Sequence, residues 1–384
     1  MFDILRDREW YRTEGFNELA CNFVKDESYR KSSEKLNRVR REEAKGGTPT
    51  RTLANIVEIE GVKIASKIEE KVEDILIENE FTKEGIPKDI ERSYGIKIED
   101  VAIDTAEVKS ACESYNKKVE KGFEIKDMQC EKKYIKPKTA TNISIDDVSV
   151  KKQVEHRKKD EKKDPKRVRN TVTHIENKNE KYYLNGESTA VVLKMIVAFL
   201  IHNRLINSFI EYFVDGERTL HNTIAEQFGW YKSYEIILDW YHLVKKCKEE
   251  LSLALKGKTI RNKILDEITK YLWIGEIGLA KEVLSKIEIN DIKSLEHIEK
   301  LIGYFERNEK NIPCYALRKE LGLRNSSNKG EKANDMIVSK RQKHNGMSWS
   351  KCGSTSLATI TTLNLNKELH RWFSCGKIDF KLVG

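Results

Sequence analysis

The chain has 384 residues, 35% of them charged, and its 71 Lys and Arg against 62 Asp and Glu give a formal charge of +9. That length allows two or three domains with an ordinary core, and the charge suits a soluble protein that meets a polyanion. Seven scattered cysteines with no C-x-x-C pair exclude a zinc module of the usual spacing, and the longest apolar run, Ala190–Ile201, contains Lys194 and is too short to cross a bilayer. No membrane association is expected. The opening stretch MFDILRDREWYRTEG lacks the apolar core of a signal peptide, so a reducing cytoplasm is the expected compartment.

Residues 1 to about 45 are charged and helical in character, and KGGTPTR (Lys45–Arg51) then marks a boundary or hinge. From Thr52 to about Asn79, Ile64, Ile68, Val72, Ile75 and Leu76 recur at helical spacing, as one helix or a broken pair. ISIDDVSV (Ile143–Val150) alternates as a strand does. The run Lys151–Arg169 holds ten basic and four acidic residues, which suits a solvated loop or a hairpin that tracks phosphates. RVRNTVTHIE and KYYLNG read as two more strands, Glu187–Ile206 as a buried helix, and SFIEYFVDG and YEIILDW as short buried strands.

Beyond His242 the pattern is helical for about eighty residues, with stripes such as Ile260, Ile264, Ile268, Leu272 and Ile298, Leu301, Phe305. A late helix, capped by Ser327 or Asn328, has Ala333, Met336 and Ile337 on its apolar side and Glu331 in its first turn. The expected fold is α/β with an all-α insertion at about 245–325. A mostly helical region over 1–140, a candidate DNA-binding unit without a clear helix-turn-helix, precedes an α/β unit over 141–384.

Three carboxylates stand out by position. Asp146 lies on the first strand, Asp215 ends the fourth beside Gly216, and Glu331 begins the late helix. Open α/β folds place ligand-binding groups at the carboxyl ends of their strands, where no helix covers the crevice. Oxygen-only donors suit Mg²⁺ or Mn²⁺, and two ions about 3.5–4 Å apart can activate a hydroxyl and stabilise a leaving oxygen. Each acid also has an ordinary explanation: an Asp-Gly turn, or a Glu complementing a helix dipole. Strand alternation sends Asp146 and Asp147 to opposite faces, so only one can be a ligand, and Asp146 is the choice. Asp239 and His242 fall where the fifth strand gives way to a helix, either as a helix cap or as an acid orienting an imidazole.

The stretches ISIDDVSVKKQ, FVDGERTLHN, IILDWYHLVKK and NKGEKANDMIVSKRQKHNGMSWSKCG resemble successive blocks of bacterial insertion-sequence DDE transposases. The likeness is to a transposase-like group allied to the Mutator-like superfamily. It runs from about Ile143 to the C-terminus, and more loosely over TRTLANIVEIEGVKI. The resemblance implies a ribonuclease-H-like catalytic core in which Asp146, Asp215 and Glu331 hold two Mg²⁺ or Mn²⁺ ions. Asp239 and His242 match its D-x-x-H motif, and Arg341, Trp349 and their neighbours match its late block. It implies cleavage and joining of double-stranded DNA at element ends, as a homo-oligomer on DNA. Lys151, Lys152, Arg157, Arg167, Arg341, Lys343 and Trp349 are the expected nucleic-acid contacts. The rival readings are a catalytically inactive, transposase-derived DNA-binding protein and a resolvase- or ribonuclease-like nuclease on the same fold.

Overall fold

The computed structural model describes residues 12–40, 47–89, 91–153, 166–343 and 346–384. Its centre is one sheet of five strands: β1 (Ala140–Lys151), β2 (Arg167–Asn177), β3 (Glu180–Gly186), β4 (Phe209–Val214) and β5 (Tyr234–Leu238). Their spatial order is β3-β2-β1-β4-β5. β2 is antiparallel to both its neighbours, whereas β4 runs parallel to β1 and β5 parallel to β4. Parallel neighbours need a crossover, and helices supply both of them here. This topology is compatible with the ribonuclease-H-like core that the resemblance implies.

The helices are α1 (Glu14–Val24), α2 (Tyr29–Arg40), α3 (Thr50–Glu78), α4 (Thr105–Asn116), α5 (Thr189–His202) and α6 (Arg218–Gln227), then α7 (Trp240–Ala254), α8 (Lys258–Trp273), α9 (Ile277–Ser285), α10 (Leu295–Arg307) and α11 (Tyr315–Glu320), and finally α12 (Asn328–Asn334), α13 (Lys351–Leu365) and α14 (Leu369–Cys375). Shorter turns at Ile98–Val101 and Asp127–Cys130 flank α4. The stripe expected over 52–79 is one continuous helix, α3. The apolar run at Ala190–Ile201 is α5, a crossover between β3 and β4 whose start is capped by Ser188. Among the described residues no helix is long and apolar enough to cross a membrane.

Alternation along the strands sorts their side chains into two layers. Ile143 and Ile145 of β1 and Ile210, Tyr212 and Val214 of β4 join α5, α6 and the end of α3 in one core. On the opposite face Val148, Val150, Val172 and Tyr183 meet α1 to α3, α13 and the end of the late helix, with Ala333 and Ile337. A third core, around Leu243, Cys247, Leu251, Leu272, Phe305 and Tyr315, is made by α7 to α11, which lie between β5 and α12. Helices α1 to α3 therefore share a core with α13 and α14. Gly61 of α3 shows how close that contact is, because a Cβ there would collide with the Ser356 backbone of α13. Cys112 and Cys130 are joined as a disulfide between α4 and the turn that follows, a pairing that their spacing did not announce.

Candidate active site

The register of the parallel strands sets the site. Ser144 pairs with Phe213, and Val214 with Leu238. Continuing both registers to the strand ends sets Asp146 level with Asp215, and Asp215 level with Asp239. Because Ile145 and Val214 enter the core with α5, Asp146 and Asp215 emerge on the opposite face. Asp147 goes the other way: its carboxylate pairs with Arg169 and accepts from the Thr171 hydroxyl at 2.5 Å.

Asp146 is half-buried, and burial first, then the negative charge of Asp215, push its pKa up to about 6. Its Oδ2 accepts from the side-chain amide of Asn334, on α12. Asp215 ends its strand in a tight turn, where its Oδ1 accepts from the Glu217 N–H at 3.0 Å. The turn needs glycine next: Gly216 has φ +85°, and a Cβ would meet the Tyr304 hydroxyl and Leu238. Tyr304, on α10, also points its hydroxyl at the Asp215 carbonyl oxygen from 3.5 Å. A helix between β5 and α12 thus braces the Asp-Gly turn.

Asp239 is 1% exposed and fully bonded. One oxygen caps α7, accepting from the His242 N–H at 2.8 Å, and also lies 3.1 Å from the His242 Nδ1. The other accepts from the Ser327 N–H, one residue before α12. Burial raises the carboxyl pKa, but these hydrogen bonds outweigh it and hold it below the usual range. The Asp239 hydrogen bond in turn raises the His242 pKa against burial. Glu331, in the first turn of α12, sets its Oε1 3.5 Å from His242 Nε2. The two explanations open for Asp239, cap and imidazole holder, both describe the same side chain.

Among the described residues no three His, Cys, Asp or Glu side chains are gathered closely enough to enclose a metal ion as they stand, Glu331 being turned to His242. The donor chemistry nevertheless fits a hard divalent cation. A carboxylate such as Asp146, whose ionisation is opposed by burial and by the charge of Asp215, is relieved by positive charge beside it, and all the donor atoms of the two acids are oxygen.

Two expected nucleic-acid contacts are instead core residues. Arg341 is 5% exposed; its Nε donates to the Val24 carbonyl at 2.9 Å, and its guanidinium lies over the Tyr29 and Trp349 rings at 5.4 and 5.1 Å. Trp349 is equally buried, with its indole N–H donating to the Gln342 carbonyl at 3.0 Å. The late block fastens α1 and α2 to the chain end, because a planar cation between two rings stays partnered without water. Lys151, Arg167 and Lys343 are exposed, Lys152 is half-exposed where it bridges to Trp349, and Arg157 lies outside the described residues. Asn334, Tyr304 and Ser327 were missed. Their side chains or N–H groups reach the acids from distant parts of the chain, which no local pattern marks.

No protein-family profile and no curated protein matches the chain. Among solved structures, the Drosophila P element transposase strand transfer complex is similar at 9% identity and a TM-score of 0.28, over 99% of this chain and 86% of that one. A likeness that slight carries no functional argument.

Proposed function

We propose that the chain is a metal-dependent DDE transposase that cleaves and joins DNA strands at the ends of a mobile element, with α7 to α11 as an insertion in a ribonuclease-H-like core. One observation supports the reading: the parallel registers of β1, β4 and β5, continued past the strand ends, set Asp146, Asp215 and Asp239 level with one another, and α12 sets Glu331 beside His242. Asp146, Asp215 and Glu331 would hold Mg²⁺ or Mn²⁺. When bound, such ions supply Lewis acidity and charge neutralisation for in-line displacement at phosphorus.

The chain's own groups have separate tasks. Asp239, ionised and buried, fixes the His242 ring with Nδ1 toward itself. That leaves Nε2 at the open side as a proton donor or acceptor beside Glu331. Exposed Lys151, Arg167 and Lys343 would neutralise backbone phosphates of double-stranded DNA.

The test uses the full chain. Mn²⁺ binding by calorimetry and nicking of supercoiled plasmid are both expected to vanish in Asp215→Ala and Glu331→Ala, with DNA affinity in EDTA kept. His242→Ala should retain Mn²⁺ binding and lose about a hundredfold in single-turnover rate. Unchanged Mn²⁺ affinity in the two acid variants would overturn the assignment. Nicking without any strand-joined product would point to a nuclease.

A further inference from the structure

The strands β4 and β5 end at Val214 and Leu238, which are register partners. The Asp239 N–H still reaches back to the Val214 carbonyl at 2.9 Å. The carbonyls of Leu238 and Asp215 are met by phenols instead of by a neighbouring strand. The Tyr315 hydroxyl donates to the Leu238 carbonyl at 2.8 Å, and the Tyr304 hydroxyl lies 3.5 Å from the Asp215 carbonyl. Both tyrosines come from the helices inserted between β5 and α12, Tyr304 from α10 and Tyr315 from α11. Both are buried, Tyr315 completely.

Helix α11 grips the same two strands at a second level. Glu211 and Glu235 are register partners, so two acids stand side by side on adjacent strands, an arrangement that repels. Arg318, one turn after Tyr315, relieves it from 2.9 Å to Glu211 and 3.9 Å to Glu235. Each acid is four residues before a site acid on its own strand, Asp215 or Asp239, and alternation therefore gives them the same face. Beyond α11 the chain returns to the site. The Asn325 side-chain amide donates to the Tyr315 carbonyl at 2.7 Å, its backbone carbonyl accepts from the Trp240 N–H at 3.0 Å, and the Ser327 N–H bonds Asp239. Tyr315 is thus bonded on one side to the residue before Asp239 and linked on the other to the residue after it.

A helix bundle that only had to shield its own core needs no hydroxyl at these two points, since phenylalanine fills the same space without a polar group to satisfy. We infer that Tyr315 and Tyr304 are positioning residues for the candidate active site, and that the inserted helices act on it by clamping the ends of β4 and β5. Tyr315 holds the backbone that leads into Asp239 and His242, and Tyr304 holds the turn at Asp215. The inference rests on the proposed function for the reaction it serves, whereas the clamp itself is a matter of this chain's geometry. Small displacements matter at such a place, because a shift of about 1 Å in a reacting group can cost about 100-fold in rate.

The experiment compares the full-length parent with Tyr315→Phe and Tyr304→Phe, which keep the ring and remove the hydroxyl. It measures single-turnover nicking of supercoiled plasmid, the half-saturating DNA concentration, and amide hydrogen exchange. In Tyr315→Phe the rate at saturating DNA should fall about 10–100-fold with the half-saturating concentration unchanged. The Trp240 and His242 amides should exchange about 2–10-fold faster, as the loss of one hydrogen bond gives, with the amides of β1 and β2 as in the parent. Tyr304→Phe should act in the same way, more weakly, at Glu217. If Tyr315→Phe does not fold, Tyr304→Phe decides alone. A parent-like rate per folded molecule, or exchange that rises equally across the sheet, overturns the inference, because the hydroxyls then serve only overall stability. If the parent nicks and both variants match it, the clamp fails and the proposed function stands. If the parent itself nicks no DNA, the proposed function fails, and the exchange comparison alone decides for or against the clamp.

Discussion

At the scale of single residues, adjacent acids with the same chemistry have opposite fates. Asp147 is neutralised by Arg169, whereas Asp146 faces Asp215 and an amide that carries no charge. The consequence is a pH signature. An acid whose folded pKa is raised from 3.8 to about 6 binds a proton in the folded state that the unfolded chain has released. Its stabilising effect is complete below the unfolded value and is lost as pH rises through the folded one. The lost contribution is about 1–3 kcal/mol. His242, raised as well, acts in the same sense at higher pH, while His174, His202 and His221, lowered by burial, act in the opposite sense. The informative quantity is therefore a difference: urea midpoints in EDTA at pH 4.5 and 7.5 for the parent and for Asp146→Asn. The parent should lose more stability than Asp146→Asn over that interval. Equal losses would mean that Asp146 is not held beside Asp215 as described.

At the scale of elements, α12 is placed by three independent fasteners. Ser327 bonds Asp239 at its start, Gly330 lies on Ser144, and Lys329 pairs with Glu176 of β2 at 2.5 Å. The preceding helix, α11, is tied to the sheet by Arg318, 2.9 Å from Glu211, with both side chains buried. Such a pair contributes less to net stability than to fixing one arrangement, since desolvation offsets most of its attraction. Gly330→Ala weighs two effects against each other. Alanine in a helix gains up to about 1 kcal/mol over glycine. The Cβ, however, meets Ser144 Cβ at 2.7 Å, next to strand backbone that cannot swing aside, and overpacking of this kind costs about 1–3 kcal/mol. The clash should win. A lowered urea midpoint together with weaker Mn²⁺ binding is the expected outcome, and a raised midpoint would show that α12 does not rest on β1.

At the scale of the whole molecule, the basic residues divide into those that face solvent and those that build the core. Replacing both exposed cations in Lys151→Ala/Lys343→Ala should leave the urea midpoint unchanged. It should also flatten the dependence of log DNA affinity on log salt by about 0.9 for each phosphate contact removed. Arg341→Ala should do the reverse: it removes a buried cation from between two rings and orphans the Val24 carbonyl, lowering the midpoint with the salt slope intact. A flattened slope in Arg341→Ala would restore that residue to the DNA surface.

The sequence by itself determined the order and nature of the sheet strands and of the more strongly patterned helices, because hydrophobic periodicity is a local property, whereas helices such as α4, α13 and α14 left no pattern that was read. The β1, β4 and β5 strands, the α5 crossover, the long α3 and the helical stretch after His242 were all legible. Alternation alone also separated Asp146 from Asp147. Only the tertiary structure decided which side chains meet. Asn334 reaches Asp146 across 188 residues, Tyr304 reaches the Asp215 turn across 89, and Arg341 reaches Val24 across 317. In sequence, Arg341 and Lys343 are two basic residues in the same short run; in the fold one is enclosed by aromatic rings and the other is in water. That difference arises when α1 and α2 close over the chain end, because burial is a property of the partner surface, and the partner is encoded hundreds of residues away.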